Sequence, residues 1–199
     1  MDLTHAFASR AYPGEVECGD QAGFWALPHR LVMALADGLG HGAPAAHAAK
    51  LAIATVGLNA HYNSERIFEI CNEQLINTRG SALTVAIVDL ALNTLELGSV
   101  GNIRNRLLRD SGSQHLGNAR GIVGAGYRRL LPEKVNLKTG DILVLFTDGF
   151  DELTNLRQCL PVNATAETVK HSADELLKTF ARNSDDAGVL VYQHAAGHA

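Results

Sequence analysis

A chain of 199 residues, 46% hydrophobic and 19% charged, can bury one sizeable core and is expected to form a single domain over 1–199. No run approaches the ~20 apolar residues of a membrane span, and a net charge of −4 argues against a nucleic-acid binder. Met1-Asp2-Leu3-Thr4-His5 lacks the basic and apolar regions of a signal peptide, and the three cysteines (Cys18, Cys71, Cys159) form no Cys-x-x-Cys pair, so reduced thiols and a cytoplasmic setting are expected.

Residues 3–9 read as a first strand. From Gly23 to Ala36 the pattern is a hairpin, with Phe24–Leu27 and Leu31–Leu35 as apolar runs and Pro28-His29-Arg30 as the turn. Gly42-Ala-Pro44 then starts an Ala-rich helix through about Ala60, suited to close packing on a sheet. Ser64 is a candidate cap for a second helix to about Asn77, with Ile67, Phe68, Cys71 and Leu75 on one face. Three consecutive strands follow: Leu83–Val88, Thr94–Val100 and Ile103–Arg109. The Gly-rich segment 117–126 is either a flap or an ordinary surface loop. Strands at about 130–137 and 141–147 precede a short helix starting near Phe150. A longer helix begins after Thr165, with Val169, Ala173, Leu176, Leu177 and Phe180 on one face. Val189–Tyr192 is the last strand, and the tail from Ala195 is expected to fray. Strands grouped with strands and helices with helices imply an antiparallel α+β layer fold, an αββα sandwich of two sheets flanked by helix layers.

The chemistry concentrates at strand ends. Leu31–Ala36 runs into Asp37-Gly38, Ile142–Thr147 runs into Asp148-Gly149, and Asp185-Asp186 precedes the closing strand. Either pair alone is more simply explained by an ordinary turn. Together, carboxylates on rigid elements suit a hard divalent cation such as Mg²⁺ or Mn²⁺. Two ions about 3.5–4 Å apart could share a carboxylate and promote ionisation of a water for attack on a phosphate ester. Arg104, Arg106, Arg109, Arg128 and Arg129 read either as the solvated face of strands or as a dock for an anionic, phosphorylated partner. A P-loop is excluded because no Gly-Lys-Ser/Thr follows Gly38-Leu-Gly40-His-Gly42. The nine scattered histidines do not form a zinc-hydrolase motif.

These residues fall in an order that resembles the PP2C-type metal-dependent serine/threonine phosphatases, in their SpoIIE branch. The matching stretches are Ala36-Asp37-Gly38-Leu39-Gly40-His41-Gly42, Ser81-Ala-Leu-Thr84, Gly98-Ser-Val-Gly101-Asn102, Leu137 to Glu152 and Ser184-Asp185-Asp186. The resemblance implies that Asp37 bridges two ions (Mn²⁺ or Mg²⁺) and that the Gly38 carbonyl joins one of them. Asp148 and Asp185 would ligate the second. Asp20 would orient water and Asp186 would support the ligands from behind. It further implies phosphorylated stressosome STAS-domain proteins of the RsbS and RsbR kind as substrates, with a phosphorylated anti-sigma-factor antagonist as the alternative. No nucleic acid or membrane would be involved, and the enzyme would act as a monomer. Leu39 stands where many relatives carry a histidine, so His41 is the candidate proton donor; the plainer reading is that it lines the helix entry. Arg10 is a candidate for the substrate phosphate. The non-catalytic rival is a phosphoprotein-binding module using Arg104, Arg106, Arg128 and Arg129.

Overall fold

In the computed structural model, the residues described are 4–151, 156, 160 and 165–195. One sheet has the order β10-β5-β4-β3-β2, built from β2 (Asp20–Leu27), β3 (Arg30–Gly38), β4 (Ser81–Asp89), β5 (Thr94–Val100) and β10 (Glu133–Asn136). The other has the order β1-β12-β11-β6-β7, built from β1 (Thr4–Arg10), β6 (Arg104–Arg109), β7 (Gly112–Leu116), β11 (Ile142–Phe146) and β12 (Ala187–Gln193). All pairings are antiparallel. A small hairpin, β8 (Gly121–Ile122) with β9 (Gly126–Tyr127), completes the strands.

Alternation along each strand builds three layers of core. In β3, Leu31, Met33 and Leu35 point between the sheets, where they meet Leu107, Leu143, Leu145 and Leu190. Val32, Ala34 and Ala36 point the other way, onto α1 (Ala43–Leu58) and α2 (Ser64–Gln74). On the second sheet, Val144, Phe146, Val189 and Val191 face outward onto α3 (Ala166–Phe180). The αββα expectation holds. Burial on both faces explains why β3 and β11 read as continuous apolar runs.

Alanine is what lets α1 lie close: Ala45, Ala46, Ala48, Ala49 and Ala52 are fully buried. The cap of α2 is one residue earlier than expected. Asn63 is the N-cap, its side chain accepting from the Arg66 N–H, while Ser64 is buried and donates to Glu96 Oε1 at 2.6 Å. Thr165 caps α3; Val169, Ala173 and Leu176 are buried as expected, but Phe180 reaches the surface. The short helix expected near Phe150 and the tail beyond Ala195 lie largely outside the described residues, as does Cys159.

Candidate active site

The inner face of β3 changes character at its end. After Leu31, Met33 and Leu35, the next residue of that parity is Asp37, and the register places Asp20 of β2 directly opposite it. The apolar layer between the sheets therefore ends in carboxylates. Asp20 is 1% exposed, and its Oδ2 accepts a 2.7 Å hydrogen bond from Thr147 Oγ1, the residue after β11 in the other sheet. Thr147 Oγ1 also accepts from the Gly188 N–H at 3.0 Å, so one hydroxyl ties β2, β11 and β12 together. Deeper in the layer, Thr84 bonds Ser99 at 2.7 Å and Asn105 at 3.1 Å, which extends the polar band across both sheets.

Asp148 lies in the turn after β11, and its Oδ2 accepts from Asn102 Nδ2 at 2.7 Å. Asp185 precedes β12, and its Oδ1 accepts from the Asp186 N–H at 2.9 Å. Asp37, Asp148 and Asp185 line an open cleft of about 620 Å³. Asp20 and Asp186 lie behind them and are buried.

Both Asp-Gly glycines serve close approach. A Cβ on Gly38 would stand 2.0 Å from the Ala45 carbonyl oxygen, and one on Gly149 would stand 1.9 Å from that of Asp186. Neither adopts a left-handed φ. Each lets two backbones touch, and Gly149 does so within a turn.

Electrostatically the cluster is unsatisfied. Burial first, then Asp148, Asp185 and Asp186, pushes the Asp37 carboxyl up from 3.8 to about 8. Burial and then Asp37 push Asp20 well above the usual carboxylate range. Asp185 is raised by burial and then, against the lowering Asp186 N–H bond, by Asp148. Asp20 Oδ1 and Asp186 Oδ2 are buried with no hydrogen-bond partner. Carboxylates crowded this way hold protons or a cation. Among the described residues no three His, Cys, Asp or Glu side chains converge into a ready-made cage. Carboxylates lining an open cleft suit Mg²⁺ or Mn²⁺, which keep several waters and take few protein ligands.

The rim contains residues the sequence did not single out. Arg120 lines the cleft beside Asn102 and Asp148. It sits in segment 117–126, which is no loose flap: Val123 and Ser81 exchange 3.0 Å backbone bonds, and Gly124 N–H donates to Asn72 Oδ1 at 2.9 Å. His41 lines the same cleft, with Nδ1 2.9 Å from Glu15 Oε1 and its ring stacked on Tyr12 at 4.3 Å. Leu39 is 52% exposed at the mouth. Arg10 is not at the cleft; its guanidinium donates to the Arg182 carbonyl.

The run of arginines forms neither a solvated face nor a single dock. Arg106 is 7% exposed, Arg104 donates to the Phe150 carbonyl at 3.0 Å, and Arg109 donates to that of Asn136 at 2.8 Å. Arg128 and Arg129 are exposed, outside that strand.

Two facing antiparallel sheets with an acid-lined cleft at one end define a PP2C-type phosphatase. The family model for stage II sporulation protein E (SpoIIE) matches residues 28–195, and the chain belongs to that family. It is 27% identical over 164 residues to the phosphoserine phosphatase RsbX of Bacillus subtilis, covering 80% of each chain. It also superposes with a TM-score of 0.89 on a protein solved in a study of the bacterial stressosome as a modular system controlling secondary messenger signalling (29% identity; 97% of this chain and 100% of that one). RsbX in complex with magnesium superposes with a TM-score of 0.83 (23% identity; 96% and 94% covered). For the PP2C domain of Bacillus subtilis SpoIIE the TM-score is 0.82 (20% identity; 99% and 64% covered).

Proposed function

We propose that this phosphatase hydrolyses phosphoserine or phosphothreonine on a partner protein, with Asp37, the Gly38 carbonyl, Asp148 and Asp185 holding two divalent ions, Mn²⁺ or Mg²⁺. The observation that carries the reading is the crowding of carboxylates at the floor of an open cleft, with Asp37 driven to about 8 by burial and then by its neighbours. Bound there, the ions would lower the pKa of a water and offset the charge on the phosphate.

The chain supplies the rest. Thr147 holds Asp20, and Asn102 holds Asp148, so both carboxylates keep one orientation. Arg120 offers a guanidinium to phosphate oxygens, the geometry such groups bind best. His41 at the mouth protonates the departing seryl or threonyl oxygen. The reaction needs no serine or cysteine nucleophile and forms no phosphoenzyme.

The substrates this reading favours are stressosome STAS-domain phosphoproteins of the RsbS and RsbR kind, and dephosphorylation would reset the general stress response. Likeness to RsbX and to the stressosome-associated structure supports it. Phosphate release from a phosphorylated STAS-domain protein, measured with Mn²⁺, tests the reading. Chelation should abolish turnover, and Asp37→Asn and Asp148→Asn should each lower it severely. Full turnover in EDTA after exhaustive dialysis would sink it. Side-by-side assay against a phosphorylated anti-sigma-factor antagonist decides between substrates, and preference for the antagonist would overturn the stressosome assignment alone.

A further inference from the structure

We infer that Glu15 is the positioning residue for His41, and that the loop over residues 11–19 exists in part to aim that imidazole into the cleft. The inference rests on the phosphatase reading with His41 as proton donor, and it assigns the group that makes the donor effective.

Two constraints act on the His41 ring, and a third feature makes room for one of them. Glu15 Oε1 lies 2.9 Å from Nδ1, which leaves Nε2 as the nitrogen for the substrate. Tyr12 stacks on the imidazole with centroids 4.3 Å apart and planes 15° from parallel, which fixes the ring plane. Gly42 leaves room for the carboxylate: a Cβ there would stand 2.7 Å from Glu15 Oε2, and its φ of +71° already suits glycine.

The loop that carries Tyr12 and Glu15 is itself fixed at several points. Its Tyr12 N–H donates to Asp186 Oδ1 at 2.8 Å, inside the acidic cluster. Glu17 pairs with Lys50 on α1, and the Gly19 carbonyl accepts from the Gly38 N–H at 3.1 Å. One short segment thus connects the imidazole to Asp186 and to the backbone after Asp37.

The Glu15–His41 pair is half exposed, with side chains 36% and 51% accessible. An exposed pair of this kind adds little to stability. Its geometry instead serves orientation, which matters where a proton must reach one atom.

The step balances as follows. The oxygen of water forms a bond to phosphorus, and the bond from phosphorus to the seryl Oγ breaks with its electron pair going to Oγ. His41 gives that oxygen the proton on Nε2. One proton of the attacking water leaves to solvent, from which the imidazole is reprotonated.

Leaving-group dependence tests the inference. A phosphoserine peptide has a poor leaving group that needs the proton, whereas p-nitrophenyl phosphate has one that leaves without it. The full chain with Mn²⁺ is assayed on both. Glu15→Ala should lower the ratio of phosphoserine to p-nitrophenyl phosphate kcat by about tenfold or more with little change in KM. Glu15→Asp should recover part of the ratio. Combining Glu15→Ala with His41→Ala should be no worse than His41→Ala alone, since the two act as one unit. An unchanged ratio, or additive losses in the double variant, would overturn the assignment. A parallel fall on both substrates, with weakened metal binding in a titration, would assign Glu15 to the metal cluster and overturn it too. Absence of metal-dependent turnover by the unmodified chain on either substrate would instead remove the phosphatase reading beneath it.

Discussion

Asp37-Gly38 closes a strand that is paired on both sides, by β2 and by β4, whereas Asp148-Gly149 follows its strand and belongs to a turn. The backbone of Asp37 cannot rotate away, because the strand ladder and the Ser81 hydroxyl on its carbonyl hold it. Its carboxyl therefore stays withdrawn from water among like charges, and burial first and then those charges push it up to about 8. Asp148, on the turn, has a side-chain donor of its own in Asn102. One dipeptide thus gives a carboxylate crowded by its neighbours, and another that the protein itself steadies. The glycines, by contrast, do the same work in both places, admitting a carbonyl within about van der Waals reach.

The largest effect should come from breaking the difference at its charged end. Asp37→Asn is expected to cost about 10³-fold in turnover, several kcal/mol of barrier, and more than Asp148→Asn; steady-state phosphate release measures both. Equal losses would erase the asymmetry.

The shared role of the glycines is tested by Gly38→Ala and Gly149→Ala. Each should destabilise by about 3 kcal/mol or more, because the added methyl meets backbone oxygen, which cannot swing aside. Urea unfolding reads this, and a cost under about 1 kcal/mol at either site would show that the backbones can part there.

The pH dependence of the metal-free protein sharpens the electrostatic side. The folded pKa of Asp37 lies above its unfolded value, so folding takes up a proton there as the pH rises past 3.8, and the destabilisation is complete beyond about 8. The thermal midpoint should therefore fall over that window, by an amount equivalent to about 2–5 kcal/mol, and Asp37→Asn should flatten the decline. Mg²⁺ should raise the midpoint more at pH 8 than at pH 5.

The smallest effect belongs to the turn. Asn102→Ala should weaken metal affinity or turnover by about 10- to 100-fold, since it loosens Asp148 without removing it. A Mg²⁺ titration followed by calorimetry measures it.

The layers were legible because β3 and β11 are buried on both faces and α3 has a clean apolar stripe. The polar strand β7 carries almost no hydrophobic signal, with Gly112, Ser113, Gln114 and His115 all exposed. The arginine run misled because Arg104 and Arg106 share one face of β6 but are drawn into the protein, Arg106 by burial and Arg104 by the Phe150 carbonyl, while Arg109 lies on the other face, so adjacency in sequence did not become a surface. Arg120, Tyr12 and Glu15 belong to no motif, and segments remote in the chain bring them to the cleft.

Sequence alone determined which carboxylates stand at the ends of apolar strands, because alternation and strand termination are local properties of the chain. It therefore pointed to Asp37, Asp148 and Asp185 as a set, with Asp20 added only by the family resemblance, and to the αββα layering around them. Tertiary structure alone decided which of them line the cleft and which lie behind it, and how far their charges act on one another. It also decided that His41 stands against Glu15 and Tyr12 at the mouth. Those facts depend on the packing of two sheets and on close approach at two glycines, and the strength of each carboxyl's charge is set by burial and neighbours that no single segment contains.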